Sequence, residues 1–386
     1  MTEVVISGIG MHGAFGDFGD TLDALAQGRT AVTRVSVDGA PGFPDVLGAP
    51  AGPYDPGCYA PDRKLVKYMS RTAQLAVLAS GRAIERAGLM DDPQSRAAMA
   101  LFVATGYIAF DLSNVARSAE ASKTADGAFD LGRMGEEGLR LCHPLMPFKM
   151  LLNMPLGLVS IAFGIRGENF VLYPGADQAG IAFETAWRGI RNGRFVRALV
   201  GGCGQGLSPI PLATLIRQDR VACPDDTGGG RFPIADLAAF VILESAQAAE
   251  DRGARAIARI DSVRLARPQR SSQSLAAFFG GDPDGHRPDS VVVTGCIDSV
   301  DLQVLTDAAA SAWPGTPPAL ASFDDRLGHC AAASLPLALG LAVESMSRGS
   351  VPVQQDLSAP RDLLILSAAA DEALFSCRVR SVEAPQ

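Results

Sequence analysis

The chain is 386 residues long, enough for a sizeable buried core in one large domain or two average ones. Its 34 Lys and Arg against 42 Asp and Glu give a net charge of -8 and a pI near 5.1, which argues against a broad nucleic-acid-binding surface. With 47% hydrophobic and 20% charged residues, and no run near the roughly 20 apolar residues of a membrane helix, the composition predicts a soluble globular protein with no membrane partner.

The N-terminal Met1-Thr2-Glu3-Val4-Val5-Ile6 opens on a strand pattern without a basic stretch, apolar core or cleavage site for export, so the expected location is the cytoplasm. Strands are predicted at the aliphatic or β-branched runs 4–7, 101–104, 170–173, 198–200, 240–243, 257–260, 291–294 and 363–366. Ala-rich helical segments separate them. One carries Met69, Ala73, Ala76, Ser80, Ala83 and Ala87 along one face and ends at Gly88; another carries Phe183, Trp187 and Ile190 and ends at Gly193. The alternation is that of an α/β protein with buried sheets. Loops are expected at 39–60, 221–235 and 267–289, where Gly, Pro, Asp and Ser gather. None has the bias of a linker, so the halves 1–235 and 236–386 are expected to form one fused body.

Seven cysteines, Cys58, Cys142, Cys203, Cys223, Cys296, Cys330 and Cys377, stand far apart without a C-x-x-C pair or a zinc-finger histidine. Reduced thiols and no metal site are expected. Gly8-Ile9-Gly10-Met11-His12-Gly13 formally matches the dinucleotide fingerprint G-x-G-x-x-G. Phe15-Gly16-Asp17-Phe18-Gly19 follows, however, where that motif needs an opening helix to receive the pyrophosphate. The glycines therefore read as a tight turn leaving the first strand, the next helix is expected near Asp20, and no cofactor is called for.

Val4-Val5-Ile6-Ser7-Gly8-Ile9-Gly10, Gly28-Arg29-Thr30 and Tyr68-Met69-Ser70-Arg71-Thr72-Ala73 are followed by Asn153-Met154-Pro155, Phe163-Gly164-Ile165-Arg166-Gly167 and Gly201-Gly202. Then come Arg231-Phe232-Pro233, Ala239-Phe240-Val241-Ile242-Leu243-Glu244 and Arg252-Gly253-Ala254-Arg255. In this order the motifs resemble the β-ketoacyl synthases, the condensing enzymes of fatty-acid and polyketide assembly. The resemblance implies a thiolase-like α/β fold, two pseudo-repeated halves in a five-layer αβαβα sandwich, working as a dimer.

That family's chemistry uses a cysteine at a helix N-terminus, where the dipole and backbone N–H groups favour thiolate and oxyanion. Two histidines stabilise the enolate formed from malonyl carrier protein. Aligned without a gap, the nucleophile position falls on Ala176; a two-residue shift places Gln178 there, and either choice removes the thiol. Asp177 between them reads as a helix N-cap. Asp177-Gln178-Ala179-Gly180 resembles a string found in chain-length factors, the nucleophile-free partners of ketosynthases. Thr294 stands for the first histidine, His329 retains the second, Asp324 replaces the family's lysine, and the Gly-rich C-terminal turn has become Ser367-Ala368-Ala369-Ala370-Asp371-Glu372.

The resemblance thus implies a chain-length-factor-like, catalytically degenerate subunit that pairs with an active ketosynthase. It would bound the tunnel of an acyl chain carried on an acyl carrier protein, and it needs no cofactor or metal. By the same resemblance Tyr107, Phe110, Leu112, Asn114 and Phe148 are the expected gating residues. The alternatives are an acyl hydrolase or transferase using Cys296 activated by His329, and a non-enzymatic acyl-binding homodimer.

Overall fold

The computed structural model describes residues 2–37, 43–107, 112–173, 177–226, 231–269, 271–280, 286–295, 299–349, 360–368 and 373–382. In chain order its strands are β1 (Val4–His12), β2 (Thr33–Val35), β3 (Val46–Ala49), β4 (Ala100–Thr105), β5 (Asn169–Leu172) and β6 (Arg197–Gln205). The second set comprises β7 (Ile234–Ser245), β8 (Ala258–Ala266), β9 (Ser290–Gly295), β10 (Ala319–Ser322), β11 (Asp362–Ala368) and β12 (Leu374–Ser381). The principal helices are α1 (Phe18–Ala26), α2 (Arg71–Arg86), α3 (Met154–Phe163), α4 (Asp177–Arg191), α5 (Ser272–Gly280), α6 (Ser299–Ala312) and α7 (Ser334–Arg348). Each expected strand run is present, while β2, β3, β10 and β12 were not foreseen.

Strand order exposes a repeat. The neighbours run β5-β4-β6-β7-β1 in one set and β10-β9-β11-β12-β8 in the other. In both, the first two pairings are parallel and the next two antiparallel. The sets join where β1 meets β8 antiparallel, with Val4 opposite Ile260. The expected cut at 235/236 falls inside β7, whose partners β6 and β1 both belong to the first set.

α4 and α7 lie between the two sets, each touching strands of both. Every residue of α7 from Ser334 to Met346 is buried, as befits a helix covered on all sides. Outside the first set α2 and α3 build a core with Leu101, Val103 and Phe240. Outside the second, residues of α5 and α6 pack with Val291, Val293 and Leu366. The result is the five-layer αβαβα sandwich that the resemblance implies. Among the described residues, no helix is long and apolar enough to cross a membrane.

Three local expectations need correction. Gly8 and Gly10 lie within β1 rather than in a turn, and a Cβ there would come to 2.3 Å from Ala83 O and 2.2 Å from Ala79 O. They are bare because the backbone of α2 rests directly on the strand. The turn comes only at Gly13 and Gly16, and α1 starts at Phe18, two residues before Asp20, with Asp17 capping Asp20 N–H at 2.9 Å. Finally, the loop expected at 39–60 contains β3, that at 221–235 runs into β7, and that at 267–289 contains α5. Leu275, Phe278 and Phe279 bury one face of α5; its surrounding Ser, Gln and Gly obscured that spacing.

Candidate active site

β4 runs parallel to β6, and β9 to β11, and in α/β sheets ligands bind at the carboxyl ends of such parallel strands. β9 ends at Thr294 and Gly295. Gly295 has φ +112°, and a Cβ on it would lie 2.0 Å from Ala368 O, so glycine alone fits between the ends of β9 and β11.

Asp324 opens the helical turn Asp324–Leu327 and is buried. Its Oδ1 accepts from Thr294 Oγ1, and its Oδ2 from Gly295 N–H, both at 2.9 Å. Burial pushes this carboxyl up to about 7, even though both bonds favour the ionised form.

His329 is docked on the start of β7: its N–H donates to Pro233 O at 2.7 Å and its carbonyl accepts from Ala235 N–H at 2.8 Å. The ring stands edge-on to Phe232, with centroids 4.6 Å apart. Nδ1 lies 3.2 Å from Ser334 Oγ and 4.0 Å from Asp324 Oδ2. Burial, helped by Arg220, lowers the imidazole to about 4, so at neutral pH it carries no charge. Ser334 Oγ already accepts from Cys330 N–H at 3.0 Å, which leaves its own proton available to Nδ1. Ser, His and Asp do not make a catalytic triad here, because Ser334 and Asp324 both face the same ring nitrogen.

Sequence reasoning identified Thr294, Asp324 and His329, and the structure brings all three together. It missed Ser334, whose only signal was its place at the head of an apolar helix. Gln178 lies in the first turn of α4, half-buried. Ala176, Phe110 and Cys296 lie outside the described residues, as do the side chains of Asp177 and Asn114 and residues 369–372 of the altered turn.

Among the expected gating residues, Tyr107 follows β4 and meets Tyr173 edge-on at 6.1 Å. Phe148 meets Tyr68 edge-on at 5.9 Å. Tyr107, Thr105, Ser70 and Lys149, the residue after Phe148, share one slot of about 30 Å³. Leu112 opens the helix Leu112–Ala121. The buried thiols of Cys203, Cys330 and Cys377 are all pushed up by burial, that of Cys330 to about 12, which keeps them protonated and inert. Among the described residues, no group of three or more His, Cys, Asp or Glu could hold a metal ion.

Residues 1–236 match the family model of the β-ketoacyl synthase N-terminal domain. The chain belongs to the β-ketoacyl synthase family. The 3-oxoacyl-[acyl-carrier-protein] synthase 2 of Synechocystis sp. is 25% identical over 267 residues, 66% of this chain and 60% of that protein. The tetracenomycin polyketide synthase ketoacyl synthase beta subunit of Streptomyces glaucescens is 23% identical over 266 residues, 66% of this chain and 61% of that one. The chain thus spans less than two thirds of the length of these curated relatives. Among solved structures, the ishigamide ketosynthase/chain length factor aligns with a TM-score of 0.80 at 16% identity, over 99% of this chain and 100% of that one. A type II polyketide synthase ketosynthase, solved in complex with its acyl-carrier protein and bound to the hexaketide, aligns at 0.76 and 15%, over 99% of each chain. These structural likenesses carry the fold, which is a thiolase-like sandwich.

Proposed function

We propose that this chain is a chain-length-factor-like subunit: a catalytically degenerate ketosynthase homologue that pairs with an active ketosynthase and bounds its acyl-chain tunnel. The products would be polyketide or polyene chains held on an acyl carrier protein. The observation that carries the reading is the Thr294–Asp324–His329 cluster. In the position of a proton-donating imidazole it has a threonine hydroxyl already committed to Asp324, and its one histidine is buried and uncharged. Such a site offers an enolate no cationic donor. Ala176 or Gln178 in the nucleophile position supplies no thiol.

Pairing draws support from the first strand set. β5 is its terminal strand, and the stretch between β4 and β5 exposes Phe129, Leu131, Leu139, Leu151 and Ile161. A terminal strand, and exposed apolar side chains in the segment leading to it, suit an obligate partner, with an interface on the order of 2,000 Å² or more. The partner's name in the ishigamide structure and the carrier protein in the hexaketide complex point to the kinds of partner expected.

The test is co-expression with candidate ketosynthases from the same genome, followed by measurement of the mass of the purified complex. A one-to-one heterodimer is expected. A stable homodimer that ignores every co-encoded ketosynthase overturns the reading and leaves the acyl-binding homodimer in its place.

A further inference from the structure

Asp324 reaches two segments that are far apart in sequence. Its side chain accepts from Thr294 Oγ1 and Gly295 N–H at the end of β9, each at 2.9 Å. Its backbone carbonyl accepts from Gly328 N–H at 2.8 Å, and its Oδ2 lies 4.0 Å from His329 Nδ1. The residue is 7% exposed, so water does not compete for these bonds. On the β9 side the turn is further restricted by Gly295, which has no room for a side chain against Ala368 O. On the other side His329 is fixed to β7 through Pro233 and Ala235.

We propose that Asp324 is a positioning residue that clamps the carboxyl end of β9 to the His329 loop, so that the two segments open and close as one unit. The clamp is independent of the pairing reading, since a homodimer would contain the same bonds. It has a consequence for any ligand entering between the strand ends: displacing either segment must carry the other segment with it or break both side-chain bonds of Asp324.

Amide hydrogen exchange, read by NMR on the full chain, tests this. In the unmodified protein, the amides of Gly295, Gly328 and His329 should share one opening rate. Asp324→Ala should accelerate all three by about ten- to a hundredfold, the effect of losing a bond to a buried carboxyl, while amides in β1 keep their rates. Asp324→Asn should restore slow exchange, because the amide can accept from Gly295 N–H and donate to Thr294 Oγ1. Thr294→Val removes one bond at constant volume and should accelerate all three amides by less. Asp325→Ala, at the exposed neighbour, should change none. Acceleration of Gly295 alone, an Asn variant that behaves like the Ala variant, or different opening rates in the unmodified protein would each overturn the clamp. Should Asp324→Ala fail to fold, Thr294→Val decides by the same criterion.

Discussion

Replacing Asp324 by asparagine should uncover a pH dependence of stability that the unmodified protein conceals. The carboxyl rises from its ordinary 3.8 to about 7 on folding, and the imidazole of His329 falls from 6.5 to about 4. At 1.36 kcal/mol per tenfold change in proton affinity, these correspond to about 4 and about 3 kcal/mol respectively. A raised carboxyl holds its proton more tightly when folded, so its contribution is full below 3.8 and is lost as pH rises towards about 7. A lowered imidazole refuses its proton when folded, so its contribution is full above 6.5 and is lost as pH falls towards about 4. Between about 4 and 6.5 the slopes oppose each other. There the unfolded pair is a carboxylate and an imidazolium, while the folded pair is a carboxylic acid and an imidazole, with the same number of protons. Asp324→Asn leaves the histidine alone, and stability should fall by about 3 kcal/mol from pH 6.5 to pH 4. His329→Gln leaves the carboxyl alone, and stability should fall in the opposite direction, by about 4 kcal/mol from pH 3.8 to 7. Urea unfolding at half-unit pH steps, with each variant compared against the unmodified chain, measures both slopes. Stability differences that do not vary with pH would refute the reasoning.

Glu244→Ala should cost about 3–5 kcal/mol in chemical denaturation, because Arg197 is left buried without its ion-pair partner; a loss below about 1 kcal/mol refutes it. Gly10→Ala should prevent accumulation of folded protein, while Gly135→Ala, where a Cβ meets nothing within 4 Å, should be tolerated, as read by soluble yield and melting temperature. In a reconstituted pair, Tyr107→Ala should lengthen the acyl product seen by mass spectrometry, and an unchanged product from an intact complex moves the gate elsewhere. Ala176→Cys should leave malonyl decarboxylation at background, since one missing preorganised donor alone costs about 2.7–4 kcal/mol; turnover by that variant means the active site is misplaced.

The strands most legible in the sequence are those covered on both faces. β4, β7, β9 and β11 are near-continuous aliphatic runs because sheet and helix leave no side to water. β12 escaped notice because Arg378 and Arg380 interrupt its apolar residues, and both charges are met by Asp362 on β11, a pairing that spacing along the chain does not reveal. β10 is a four-residue Ala-rich stretch whose strand character comes from its pairing with β9. At the site, the identities of Thr294 and Asp324 were legible as expected departures from the family pattern and that of His329 as an expected retention. Their physical state was not. Asp324 reads in sequence as a reversed charge, whereas burial brings its carboxyl to about 7 and makes it a hub for two donors.

The repeat shows the same separation between what a position is and what it must satisfy. Arg197, the first residue of β6, stands opposite Glu244 near the end of β7, and Asp362, the first residue of β11, stands opposite Arg380 near the end of β12. Since β6 and β7 correspond to β11 and β12 in the strand order, equivalent positions carry an ion pair in both halves with its charges exchanged. Each acid also has a second arginine, Arg252 on Glu244 and Arg378 on Asp362, with N···O distances of 2.8 and 2.7 Å. An uncompensated ion at either place would have to be dehydrated alone, at a cost of several kcal/mol, so compensation persists where residue identity does not. Burial acting alone would raise the carboxyl of Glu244, but Arg252 and Arg197 hold it below its ordinary range. Asp324 meets the same demand without a cation: its carboxyl binds a proton more readily and takes two neutral donors. A lysine at 324 would leave the amide of Gly295 without its acceptor as well as alter a charge, so the end of β9 depends on an acceptor at 324.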